Sequence, residues 1–150
     1  MLPKLSLTER MRRIRKTDTK PELVVRGIVH AMGYRYRLHN SKLPGSPDIV
    51  LTRHRKVIFV HGCFWHRHDC PNGRKLPISK PEYWGPKLER NRQRDRANVV
   101  HLESMGWTVL MVWECELGDP VRLQDELSRL LSADPQSGKL IERSLDLSRE

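Results

Sequence analysis

Residues 107–115, WTVLMVWEC, are apolar at almost every position. A surface helix or a half-buried strand would interleave polar residues, and this run does not. It reads as a central strand buried on both faces, which other elements must cover.

The rest of the chain supplies that cover. Residues 19–32, TKPELVVRGIVHAM, read as a helix with Thr19 or Asp18 as cap, Pro21 in the first turn and Gly33 as the stop. Leu23, Val24, Ile28 and Met32 are its expected apolar face. YRYRLHN at 34–40, with Tyr34 and Tyr36, alternates like a half-buried strand. DIVLT at 48–52 and KVIFVHG at 56–62 read as strands joined by a tight basic turn. Residues 80–105 read as a helix in two pieces, broken near Gly85–Pro86, and residues 120–131 as a last amphipathic helix. The order α-β-β-β-α-β-α predicts an α/β fold, one mixed sheet flanked by helices. Trp107 and Trp113 belong to its core. A length of 150 residues suits one domain, expected over 18–133, with a basic arm at 1–17 and a tail at 134–150.

The net charge of +10 is unevenly spread. Residues 1–20 carry seven Lys/Arg against two Asp/Glu, residues 74–96 eight against three, and residues 116–150 five against eight. A polyanion, nucleic acid, is the natural partner. No apolar run reaches the roughly 20 residues of a membrane helix, and the first residues lack a secretory pattern. A cytoplasmic monomer is expected. Three cysteines with no sign of secretion point to metal ligation or free thiols rather than disulfides.

HGCFWHRHDC at 61–70 concentrates the chemistry. Cys63 and Cys70 bracket His66 and His68, and Cys115 ends the central strand. Zinc suits such a set as a closed Cys₃His site. Spacing allows either His68 or His66 as the fourth ligand, and the other imidazole is then free for catalysis. Phe64 and Trp65 in this loop either stack on bases or pack as a small core. Asp48, opening a strand after GSP, is a candidate magnesium ligand, and Glu22 a possible second acid. Arg90, Arg92, Arg94 and Arg96 cannot share one helix face, so some contact phosphate and others pair with Asp95 or Glu89.

The segments PELVVR, LPGSPDIV, VIFVHGCFWHRHDC, PEYW, NRQRD and GWTVLMVWEC together resemble the very-short-patch repair mismatch endonucleases, over roughly residues 8–131. The resemblance implies a restriction-endonuclease-like fold with a structural zinc site. It implies a strand-specific endonuclease that uses magnesium and nicks double-stranded DNA beside the thymine of a T:G mismatch left by 5-methylcytosine deamination, with mismatch-repair proteins as further partners. By this likeness Cys63, His68, Cys70 and Cys115 hold zinc, and Asp48 and the Val60 carbonyl hold magnesium. His66 is the catalytic histidine, with Glu22 and His61 beside it. Phe64, Trp65 and Trp84 intercalate, and Met11, Arg12 and Ile14 belong to a DNA-gripping arm. The best-known relatives carry a hydroxyl residue where Val60 stands, a change that a carbonyl ligand survives. Two rival readings are an inert zinc-stabilised DNA-binding module and a nuclease without mismatch preference.

Overall fold

The structure, a computed structural model, describes residues 18–74 and 81–133. The expected arm, with Met11, Arg12 and Ile14, and the tail lie outside the described residues. Four strands form one sheet in the order β1 (Arg37–Leu38), β2 (Ile49–Leu51), β3 (Lys56–His61) and β4 (Thr108–Trp113). The first two neighbour pairs are antiparallel and β3–β4 is parallel, so the expected mixed sheet is present. Helices α1 (Lys20–Ala31), α2 (Pro81–Ser104) and α3 (Pro120–Ser132) complete the domain.

Strand side chains alternate between faces, and two cores follow from that period of two. Ile49, Leu51, Ile58, Leu110 and Val112 join Val25 and Val29 of α1 and the leucines of α3. Val50, Val57, Phe59, Val109, Met111 and Trp113 join Val99 and Leu102 of α2, with Trp107. Apolar residues at nearly every strand position are what a sheet covered on both sides requires. Trp107 and Trp113 are core, as the sequence suggests.

Four local expectations change. The 34–40 strand shrinks to Arg37–Leu38, both exposed, while Tyr34 and Tyr36 pack against the core from outside it. The 48–52 strand ends at Leu51, because Thr52–His54 forms a 3₁₀ turn closed by Arg55 in the left-handed region at φ 55°. Helix α2 is continuous through Pro86. The missing N–H costs one bond near the helix start, and buried Trp84 and Leu88 hold the turns on either side of it. On α1 the buried residues are Glu22, Val25 and Val29, while Leu23 and Val24 stay exposed. Thr19 does cap this helix, accepting from Glu22 N.

One buried charge ties the sheet to the last helix. Lys56 opens β3, is 2% exposed, and its Nζ donates to the carbonyls of Leu130, Leu131 and Ala133 at 3.0, 2.7 and 2.8 Å. Carbonyls at a helix C-terminus lack intrahelical partners and carry partial negative charge, so an ammonium there satisfies both. Lys56→Met is expected to cost about 2–4 kcal/mol, because several carbonyls lose their donor. Urea unfolding checks this. The nicking rate well below the melting temperature should hold, since α3 packs on the face away from α2.

Candidate active site and metal-binding loop

Strand register explains how distant cysteines meet. In the parallel pair His61 lies opposite Trp113. Two residues further on, Cys63 and Cys115 leave the sheet side by side, and Cys115 N donates to Cys63 Sγ at 3.4 Å. The loop after β3 then turns back on itself: His68 N donates to Cys63 O at 3.0 Å, and Arg74 N to Cys70 O at 3.0 Å. Gly73 N donates to Cys70 Sγ at 3.3 Å. A Cβ at Gly73 would fall 1.8 Å from the His68 carbonyl oxygen, so only glycine fits there. His68 Nδ1 lies 3.5 Å from Cys115 Sγ. Ligand atoms of Cys63, His68, Cys70 and Cys115 all lie within 4.8 Å of one another. Burial pushes the Cys63 thiol up to about 12, so thiolates here call for a cation. Three thiols and an imidazole in this arrangement fit tetrahedral zinc. Of the two histidines that spacing allows, His68 joins the cysteines.

His66 turns elsewhere. Its Nδ1 meets Asp95 Oδ2 of α2 at 2.5 Å. Its ring stacks on His61, with centroids 3.7 Å apart and planes 7° from parallel. His61 is buried, and that burial, with His66 adding to it, pushes its pKa well below the usual range. His61 is therefore neutral, and its flat ring lies against that of His66. The sequence reading treated Asp95 only as a partner for nearby arginines. One signal was available: Asn91 stands a helical turn before Asp95, and its Nδ2 donates to Trp65 O at 3.2 Å. Both residues fasten the same loop to α2.

Asp48 precedes β2, whose antiparallel register brings it beside the end of β3. Asp48 Oδ2 accepts from Val60 N at 2.7 Å. Burial pushes its carboxyl up to about 6, with Glu22 adding to the rise and the Val60 N–H opposing it. Glu22 is 2% exposed. Its Oε2 accepts from Asp18 N at 3.1 Å and from Arg26 Nη2 at 3.1 Å. Asp48, Val60, Glu22, His61 and His66 all line one cleft of about 1050 Å³. Lys87, Arg90 and Arg94 line it too, whereas Arg92 and Arg96 do not, as one helix face requires.

The aromatics are less exposed than a free wedge would be. Phe64 and Trp65 are half-buried and Trp84 is only 8% exposed. Phe64 packs edge-on against Trp65 and Trp84 at 5.1 and 5.5 Å, and Tyr83 joins through Trp84 at 5.3 Å. A loop poor in aliphatic residues thus makes its own small core.

The arrangement of strands and helices is that of a known nuclease module. The homing endonuclease I-Bth0305I catalytic domain superimposes with a TM-score of 0.53 at 21% identity, over 75% of this chain and 93% of that one. The fold is thus restriction-endonuclease-like, and its cleft brings together a carboxylate, a histidine–carboxylate pair and basic side chains. Sequence comparison narrows the class. The model of the family "DNA mismatch endonuclease Vsr" matches residues 4–72. The type II nicking enzyme V.XorIIP of Xanthomonas oryzae is 49% identical over 81% of this chain and 88% of its own length. The DNA mismatch endonuclease Vsr of Escherichia coli is 40% identical over 82% of this chain and 78% of its own length. The chain belongs to the Vsr endonuclease family and is an endodeoxyribonuclease. Among the described residues no helix is long and apolar enough to cross a membrane.

Proposed function

We propose that this enzyme nicks double-stranded DNA beside the thymine of a T:G mismatch, using magnesium, and so initiates very-short-patch repair. The observation that carries the chemistry is the pairing, in one cleft, of Asp48 with a histidine whose second nitrogen is free. Asp95 engages His66 Nδ1, which leaves Nε2 to take a proton from the attacking water. The Asp95 carboxylate then stabilises the imidazolium that forms, and the His61 ring keeps it in plane.

Asp48 and the Val60 carbonyl would hold the magnesium ion. Val60 N donates to Asp48 Oδ2, and a strand residue directs its C=O to the same side as its N–H, which supports the Val60 carbonyl as the second oxygen donor. Hard oxygen donors of this kind suit magnesium. When bound, the ion supplies Lewis-acid stabilisation of charge on the scissile phosphate. Cys63, His68, Cys70 and Cys115 would hold zinc in a structural role. Lys87, Arg90 and Arg94 supply phosphate contacts along the same cleft.

Mismatch sensing falls to Phe64, Trp65 and Trp84. Parting an edge-to-face aromatic pair costs about 0.5–1.5 kcal/mol, and stacking on a base returns about 1–3 kcal/mol. The exchange favours insertion where a weak step lowers the cost of unstacking. The protein is expected to act as a monomer.

A nicking assay on T:G and fully paired duplexes of varied flanks, with magnesium or chelator, tests this reading. Nicking confined to T:G duplexes with magnesium is expected. Equal cutting of paired DNA would remove the mismatch reading. His66→Ala is expected to lower the rate by about 100- to 10,000-fold. Asp95→Ala should lower it by about 10- to 100-fold and move the acidic limb of the pH–rate profile. An unmoved profile would mean that Asp95 only fastens the loop.

A further inference from the structure

Asp18, Glu22 and His39 bring ligand atoms within 4.8 Å of one another, a set that by residue type suits a metal ion. That space already contains a cation. Arg26 Nη2 lies 2.6 Å from Asp18 Oδ1, 3.1 Å from Glu22 Oε2 and 2.8 Å from His39 Nε2. A guanidinium stays charged at any working pH. The cluster is therefore occupied from within the chain.

The contact with His39 defines that ring. A guanidinium donates and never accepts. Nη2 shares its two hydrogens among Asp18, Glu22 and His39, and where His39 Nε2 accepts one of them the ring proton sits on Nδ1. Nδ1 lies 4.0 Å from Asp48 Oδ1. This is the carboxylate oxygen left over when Oδ2 accepts from Val60 N. At this distance the two groups interact through charge and are not hydrogen-bonded.

The backbone points the same way. Leu38 pairs with Ile49, which sets His39 beside Asp48, and His39 N donates to Asp48 O at 3.3 Å. His39 and Asp18 stand at φ 48° and 55°, in the left-handed region that non-glycine residues seldom adopt. Strain of this kind persists where the surroundings over-determine it, and it concentrates at functional sites. Arg26 binds the side chains of both strained residues.

We propose that Arg26 is a positioning residue for the nuclease centre: it locks His39 with Nδ1–H towards Asp48 and so presets that carboxylate for its metal ion. Glu22 then acts as the anchor of Arg26 rather than as a metal ligand. The proposal rests on the reading of Asp48 as a magnesium ligand.

The test uses the full chain in six forms: wild type, Arg26→Ala, His39→Ala, His39→Gln, the Arg26→Ala/His39→Ala double variant and Asp48→Asn. Mn²⁺ binding is followed by electron paramagnetic resonance, and nicking of a T:G duplex is titrated with Mg²⁺. Thermal melts accompany both. Arg26→Ala and His39→Ala should each weaken Mn²⁺ binding and raise the Mg²⁺ half-saturation by about tenfold. Glutamine can accept from Arg26 through its oxygen and donate to Asp48 through its nitrogen, so His39→Gln should recover most of the affinity. The double variant should be no weaker than either single one, because the two residues act as a unit. Unchanged metal affinity in the alanine variants, additive losses, or no rescue by glutamine would each overturn the proposal. If Arg26→Ala melts too low to assay, the alanine–glutamine pair at His39 decides. Asp48→Asn separates the two layers. If it still binds Mn²⁺ and nicks normally, the magnesium reading itself falls. If it loses both while the Arg26 and His39 variants behave as wild type, only the positioning role falls.

Discussion

Asp48→Asn is expected to abolish nicking, a loss of at least about a thousandfold, while making the metal-free protein more stable at neutral pH. Both effects come from one carboxyl group. Burial raises its pKa from 3.8 to about 6 in the folded protein, so the folded state holds this proton more tightly than the unfolded chain does. Near pH 3 the group is protonated in both states and contributes no difference. As pH rises through 4 to 6 the unfolded chain gives up its proton first, and stability falls. Above pH 6 the full cost is present, about 3 kcal/mol for a shift of this size. Asparagine keeps an oxygen that can accept from Val60 N and carries no charge to bury. The variant's advantage over wild type should therefore be near zero at pH 3.5 and reach about 3 kcal/mol at pH 7 in chelator. Magnesium should narrow the gap by stabilising wild type alone. Urea unfolding at several pH values, with and without magnesium, reads all of this. A flat pH dependence of the difference would show that Asp48 carries no buried charge, and normal nicking would remove it from the chemistry.

What the sequence made legible here was whatever depends on local pattern. The run at 107–115 reads as a central strand because no polar residue interrupts it, and β4 is that strand. Thr19 reads as a cap because its chemistry is local, and it caps α1. The cysteines and histidines of the loop stand out by composition alone. The choice between His66 and His68 was beyond local pattern, since it depends on β3–β4 register and on α2 reaching the loop. Asp95 was obscured by the arginines around it in sequence, although in space it faces a histidine 29 positions earlier. The rotation of α1 was misread because Glu22, a polar residue, faces inward. Its carboxylate has partners in Asp18 N and Arg26, which permit that burial. Lys56 belongs to the same class: a lysine inside an apolar strand looks like an edge charge until a helix end is placed over it.

Cys115→Ala is expected to be the most destabilising change at any exposed position in the described domain. Cys115 is exposed, and a cysteine-to-alanine change on an ordinary surface shifts stability by no more than about 0.5 kcal/mol. Cys63 would give no such contrast, because it is 2% exposed and its loss also opens a cavity. A large effect at Cys115 therefore reports a bound metal ion and little else. Structural zinc contributes folding energy directly, on the order of 10 kcal/mol in small zinc-dependent domains. The segment from Gly62 to Arg74 lacks helix and strand, so bonds to a zinc ion would add a further constraint to its contacts with α2. The variant should lose its zinc and melt more than about 10 °C lower. It should also fail to nick with magnesium in excess, because His66 lies between Cys63 and His68, two of the proposed zinc ligands, and would lose its orientation with the loop. Zinc chelation should bring wild type to the same melting temperature and leave the variant where it is. Elemental analysis with paired melting curves decides the matter. Wild-type zinc content and melting in Cys115→Ala would exclude Cys115 as a ligand, and chelator sensitivity surviving in that variant would place the metal elsewhere.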